Sequence, residues 1–316
     1  MKLLLAAAAM AGASLAPAFP QNPDPAPETT TAAPAPVPTP DLMELGTVDS
    51  RMTVPVSIGS SGPYPFIIDT GAERTVVSRE LATTLSLAAG KRVRVTTMAG
   101  TSELGTYRVP LLRAGKVAPD MIEAPAVDAR NLGAPGMLGI DALQDHMVSI
   151  DFDKSVMEVR PSSKRGLRSG PDDIVIKAKN LYGQLIVTNA RYRGQRISVV
   201  IDTGSPVTIG NPALLKRLRD DVQLGQIHLL SVTGQWLSAD YRAVDKVTLG
   251  GVNFNNVRVA FADAVPFHRF GLSDTPALML GMDSLKLFRQ VQIDFANREI
   301  RFTLPRSISG IPVYFR

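Results

Sequence analysis

Two short stretches carry the residues best suited to chemistry. Phe66-Ile67-Ile68-Asp69-Thr70-Gly71-Ala72 and Val199-Val200-Ile201-Asp202-Thr203-Gly204-Ser205 each set a carboxylic acid between an apolar run and a Thr-Gly pair. A carboxylate at the edge of a dry core is costly unless it is paired or used. Two of them at close range resist ionising together: one pKa falls, the other rises, and the pair shares a proton over an acidic range. Such a pair can hydrolyse an amide with no covalent intermediate. One carboxylate takes a proton from water as general base, and the other donates a hydrogen bond, then a proton, to the scissile amide. This chemistry calls for no cofactor and no metal, and none is expected.

A lone Asp-Thr-Gly is an ordinary turn. Here the elements that must position it are duplicated as well. A strand-like stretch begins 17 residues ahead of each aspartate, Met52 to Ile58 in one copy and Leu185 to Ala190 in the other. The run Phe66–Ile68 should be a buried strand that delivers Asp69 to a turn, where Gly71 frees the backbone and admits a close neighbour. Thr75-Val76 is echoed by Thr208-Ile209, and helix-compatible 79–87 by 212–218. A hairpin follows in each copy, with Gly100 and Gly234 near its tip. Leu138-Gly139-Ile140-Asp141 matches Leu280-Gly281-Met282-Asp283, each followed by a short helical stretch and a strand, 149–152 or 292–295. Short β-branched runs between Gly, Pro and Asn predict mostly antiparallel sheet with a few short helices. Asp141, Asp151, Asp283 and Asp294 also repeat and read as structural acids at helix starts and strand ends. A two-fold relation between the copies would bring Asp69 and Asp202 together, making one site from one chain.

Composition narrows the alternatives. The 316 residues contain no cysteine, which excludes disulfides, thiolate metal sites and a cysteine nucleophile. The three histidines, His146, His228 and His268, are scattered and read as surface or loop residues rather than zinc ligands. The formal charge of +5 comes with short basic clusters at Lys91–Arg94, Lys164–Arg168 and Lys216–Arg219. These lack interleaved aromatics and any nucleic-acid-reading motif, so they read as solvated surface, and no nucleic-acid partner is expected. No Gly-x-Ser-x-Gly elbow points to a serine hydrolase.

The first 18 residues carry Lys2, an uncharged apolar stretch from Leu3 to Leu15, and Ala16-Pro17-Ala18. They read as a cleavable export signal, so the expected location is the periplasm or the exterior. The apolar run is short for a span, and no membrane span is expected in the mature chain. Residues 19–44 read as a Pro/Ala/Thr-rich tether, 45–160 as a first lobe, 161–173 as a linker and 174–316 as a second lobe.

On the duplicated apolar-Asp-Thr-Gly-Ala/Ser stretch, the Thr-Val or Thr-Ile that follows it and the distal apolar-apolar-Gly, residues 45–305 resemble the retropepsin-like aspartic proteases. The resemblance implies an all-β chain of two pseudo-symmetric β-barrel lobes with short helices, a monomer that is a pseudo-dimer of itself. It implies an aspartic endopeptidase acting on a peptide or protein substrate, with Asp69 and Asp202 as the catalytic pair. Thr70 and Thr203 would interlock the two loops, supported by Gly71 and Gly204. Ala72, Glu73 and Ser205 would face substrate, and Gly100 and Gly234 would sit at or near flap tips. Trp236 is expected to pack over a bound peptide, and analogy with the family suggests apolar subsites. Three departures stand out: Pro206 replaces the acid that Glu73 supplies in the first copy, Ile140 and Met282 follow the distal glycines where arginine is common, and the flaps are not glycine-rich. A peptide-binding protein without activity on the same pseudo-dimeric fold is the alternative.

Overall fold

A computed structural model describes residues 42–44, 46–48, 51–163, 170, 172–181, 183–219 and 221–305. The export signal, most of the tether and the basic part of the linker therefore lie outside the described residues. Strand Leu42–Glu44, within the stretch expected to be tether, pairs antiparallel with Val156–Glu158.

The chain is all-β in two lobes, and the lobes repeat one sheet plan. In the first, the strands run in the order 89–97, 100–110, 121–127, 76–78, 136–138, 61–68, 51–58. In the second, they run 222–230, 236–244, 257–261, 208–210, 277–280, 195–201, 184–192. Most pairings are antiparallel. Among the described residues each lobe has two parallel pairs: Ser61–Ile68 with Gly136–Leu138 and Val76–Ser78 with Met121–Val127 in the first, Gln195–Ile201 with Ala277–Leu280 and Thr208–Gly210 with Val257–Phe261 in the second. The first pair of each lobe carries the aspartate. Each aspartate leaves its strand with its backbone N–H still donating across that pair, Asp69 to the Leu138 carbonyl and Asp202 to the Leu280 carbonyl, both at 3.0 Å. The chain ends of both strands are thereby fixed before either side chain is considered.

Local signals account for the short helices. Ser78 caps Arg79–Thr84 by accepting from the Leu81 N–H at 3.0 Å, and Asn211 caps Pro212–Leu215 by accepting from the Leu214 N–H at 2.9 Å. Pro212 opens the second helix, where its missing N–H costs nothing. Both helices are shorter than the sequence spacing suggests; the first closes at Leu85, just ahead of Ser86 at positive φ.

The lobes do not end in separate sheets. A six-stranded sheet runs 42–44, 156–161, 146–151, 290–294, 299–303, 173–177. Its centre is the antiparallel pairing of Ser149 with Gln292, so the pseudo-two-fold axis passes between the final hairpins of the two copies. The hairpin turns repeat too: Asp151 accepts from the Lys154 N–H and Asp294 from the Asn297 N–H, each at 3.0 Å. One continuous apolar core spans both lobes and this sheet, including Phe66, Val148, Ile150, Val291, Ile293 and Phe302. Burial on this scale is the main driving force holding the lobes together.

Candidate active site

Each Asp-Thr-Gly turn is built by its own lobe and locked by the other. The Thr70 N–H donates to Thr203 Oγ1 at 3.0 Å, and the Thr203 N–H donates to Thr70 Oγ1 at 3.2 Å. Each hydroxyl also donates across the interface, Thr70 to the Ile201 carbonyl at 3.1 Å and Thr203 to the Ile68 carbonyl at 2.8 Å. Both threonines are buried, so removing either hydroxyl would strand polar groups in a dry interface, at roughly 1–3 kcal/mol each.

A second clamp holds the chain that returns from each turn. Asp141 accepts from the Thr75 N–H at 2.8 Å and from its hydroxyl at 2.7 Å, and Asp283 does the same for Thr208 at 3.1 and 2.7 Å. Burial pushes both carboxyls up, and these hydrogen bonds pull them back. The two repeated Leu-Gly-x-Asp landmarks thus tie the turn to the parallel strand beside it.

The two aspartates meet where the turns meet. Their carboxyls are close enough for each to act on the other's proton affinity. The Gly71 N–H donates to Asp69 Oδ1 at 2.7 Å and the Gly204 N–H to Asp202 Oδ1 at 3.0 Å. Neither glycine is at positive φ; the reason no side chain fits is space. A Cβ on Gly71 would lie 2.7 Å from Asp202 Oδ1, and one on Gly204 would overlap the Asp69 carboxyl. Burial pushes both carboxyls up, and the charge of Asp69 pushes Asp202 well up. Asp202 is buried, whereas Asp69 is partly open to the cleft.

The repeat is broken beneath this pair. Arg51, buried, donates to the Leu132 carbonyl at 2.8 Å, and its positive charge adds to the Gly71 and Ala72 N–H groups in offsetting part of the rise that burial imposes on Asp69. The matching position of the second copy is Gln184, also buried, whose Nε2 donates to the Gly71 carbonyl. A cation thus stands near one aspartate and a neutral amide replaces it in the other copy. Both residues line the cleft. Neither was singled out in the sequence, although extending the self-comparison by one residue ahead of Met52 and Leu185 reaches them.

The cleft holds about 230 Å³ and is covered by both hairpins. Two apolar clusters flank the aspartates at matching positions of the copies. One contains Ile67, Val76 and Met137, and the other Val200, Ile209 and Met279. Each is capped by the opposite lobe: Val232 packs on the first cluster and Met98 on the second. The Met98 carbonyl also accepts from the Val265 N–H at 3.2 Å. The tips touch each other, since a Cβ on Gly100 would lie 2.8 Å from Gln235 Oε1. Gly234 lies against Asn131 of the first lobe.

Other residues expected at the site fall differently. Ala72 and Glu73 line the cleft, and Glu73 forms an ion pair with Arg269 at 2.6 Å. Ser205 is turned inward, its hydroxyl donating to the Val207 carbonyl at 2.7 Å, which removes it from the cleft wall. Trp236 is 66% exposed and lies outside the cleft lining; Leu230, its partner across the hairpin, occupies that place. His228 and His268 are exposed and His146 is half-buried, none of them lining the cleft.

Comparison with known families agrees with this duplication. The family model described as aspartyl protease matches residues 54–142 and 188–284, more than half of the chain and once in each lobe. No curated protein matches the sequence.

Proposed function

This chain belongs to the aspartyl protease family, as a retropepsin-like protein of two lobes, and from that premise we propose that it is an endopeptidase whose catalytic pair is Asp69 and Asp202. The observation that carries the proposal is the asymmetric surroundings of two interacting carboxyls in one cleft. Asp69 has the Arg51 charge nearby and is open to the cleft, so it holds the negative charge. Asp202 is buried and faces the charge of Asp69, so it holds the shared proton. Asp69 takes a proton from water, whose oxygen attacks the scissile carbonyl carbon. Asp202 gives its proton to the carbonyl oxygen, forming a tetrahedral diol. Asp69 then gives the proton it took to the amide nitrogen while a diol hydroxyl returns its proton to Asp202; the carbon–nitrogen bond breaks, leaving a carboxylic acid and an amine, and the pair is restored.

In this reading Thr70, Gly71, Thr203 and Gly204 hold the carboxyls in place, and the two hairpins close over an extended peptide. The two repeats of one chain together make a whole site. The export signal read in residues 1–18 supports work in the periplasm or outside the cell. The test is incubation of the protein with a mixed peptide library across pH 3–7, with products identified by mass spectrometry. Cleavage at internal bonds, strongest where the pair is singly protonated, is expected. A folded protein that binds library peptides and cuts none at any pH would replace this reading with that of a peptide-binding protein.

A further inference from the structure

The charge of the cleft is one-sided. Four arginines line it, Arg51, Arg74, Arg94 and Arg269, against one carboxylate outside the aspartate pair, Glu73. Glu73 is engaged by Arg269, and Arg51 is buried with its guanidinium on the Leu132 carbonyl. Arg74 and Arg94 differ from these. Both are exposed, and neither guanidinium makes a hydrogen bond or ion pair among the described residues. Glu103, opposite Arg94 across its hairpin, lies 3.7 Å from Arg92 instead. Arg74 lies close enough to Asp141 to bias its carboxyl, but that carboxyl is occupied by Thr75.

Both of these arginines belong to the first lobe. The corresponding positions of the second copy, counted from its aspartate and from its hairpin glycine, are Val207 and His228. An arginine at the cleft wall without a protein partner is suited to a carboxylate brought in by a ligand, because the charge-assisted, forked contact is stronger than a neutral one. The apolar clusters under Met98 and Val232 provide for apolar side chains next to the aspartates. They offer nothing to satisfy these two cations.

We propose, resting on the endopeptidase reading, that the cleft selects peptides with an acidic side chain on one side of the scissile bond, along the first lobe, held by Arg74 and Arg94. The apolar preference expected from the family would then govern the residues at the bond itself, and the acidic residue would fix which way round the chain lies. Such a cleft also concentrates acidic peptides by its field before contact is made, an effect that salt weakens.

The test uses paired peptides that differ only by Glu or the isosteric Gln, placed in turn at each position flanking a bond the protein cuts. Assays run at about pH 6, above the ordinary glutamate pKa of about 4.3, so that the substrate carboxylate is charged. At one position on one side of the bond the Glu peptide is expected to show a kcat/KM about tenfold above its Gln partner, the scale of one charge-assisted contact. That ratio should fall in Arg74→Gln and in Arg94→Gln, approach one in the double variant, and shrink as salt is added. A ratio within about twofold at every position, or a preference that survives in the double variant, overturns the proposal. Binding of the same labelled pairs to Asp202→Asn, read by fluorescence anisotropy, separates the two claims. Acidic preference in binding that depends on the arginines, with no cleavage by the parent, would sink the endopeptidase reading and keep the charge selection. Cleavage without charge preference would do the reverse.

Discussion

Asp69 and Asp202 share their immediate neighbours and differ in what lies eighteen residues upstream. Arg51 places a positive charge near Asp69, and Gln184 places none near Asp202. In the proposed reading the pair titrates as a unit, and the arginine adds to the Gly71 and Ala72 N–H groups in favouring charge on Asp69. Arg51→Gln makes the first copy resemble the second. Without the cation the carboxyl of Asp69 rises, so the pair needs a higher pH to lose its first proton. The acidic limb of kcat/KM against pH is therefore expected to move to higher pH, with the greatest loss of activity at the acidic end. Arg51→Lys, which keeps the charge, should restore most of the limb. An unmoved limb in a folded Arg51→Gln protein would reduce Arg51 to a packing role through the Leu132 carbonyl. The aspartates were legible in the sequence because each obeys a local rule, an apolar strand, an acid, a short turn; the interlock of Thr70 and Thr203 followed only from the resemblance to the family. The Arg51–Gln184 break was not, because arginine and glutamine look unrelated until the strands that carry them are superposed.

At the scale of elements, the hairpins do more than cover the cleft. Met98 and Val232 occupy matching positions, each two residues ahead of its hairpin glycine, and each sits on the apolar cluster of the other lobe. Both side chains line the cleft beside the aspartates, so the hairpin contacts and a bound peptide share one space. Met98→Ser removes apolar contact while leaving the Met98 carbonyl free to accept from Val265. At about 0.8 kcal/mol per buried methylene, it is expected to weaken closure by roughly 1–2 kcal/mol. Hydrogen exchange at the Val265 N–H and at the second hairpin's tip should then quicken together, by roughly 5–30-fold. Exchange that rises only at residues 97–101 would show that the hairpins open independently. The hairpins themselves were visible from their glycines. Their exchange of side chains was not, since a methionine and a valine share no pattern that marks them as counterparts. Arg269 was hidden for a different reason: it lies on a helix, Val265–Arg269, just ahead of a stretch where the second copy is longer and the repeat loses register.

For the whole molecule, the duplicated landmarks gave two lobes, and the structure adds that they are fused through a shared sheet. Strands 146–151 and 290–294 were each legible as the end of a copy. Their pairing across the axis, with a separation of more than 140 residues, leaves no local trace in composition or spacing. This sheet and the threonine lock make one site out of two lobes, so the central claim is that neither aspartate works alone. It also has a consequence for stability. Burial raises the pKa of Asp202 in the folded chain, so ionisation there opposes folding, and that cost grows as pH rises from the unfolded value near 3.8 toward the folded one. Asp202→Asn should therefore be more stable than the parent near neutral pH and no more stable at pH below about 3.8, where the carboxyl is protonated in both states. A thermal melt at both pH values checks that the variant is folded before its activity is judged. The decisive measurement is kcat/KM on one cleavable peptide for the parent, Asp69→Asn, Asp202→Asn and the double variant. The account predicts a loss on the order of 10³-fold or more for each single variant, and no comparable further loss in the double. A folded single variant that still cuts at close to the parent rate would contradict it.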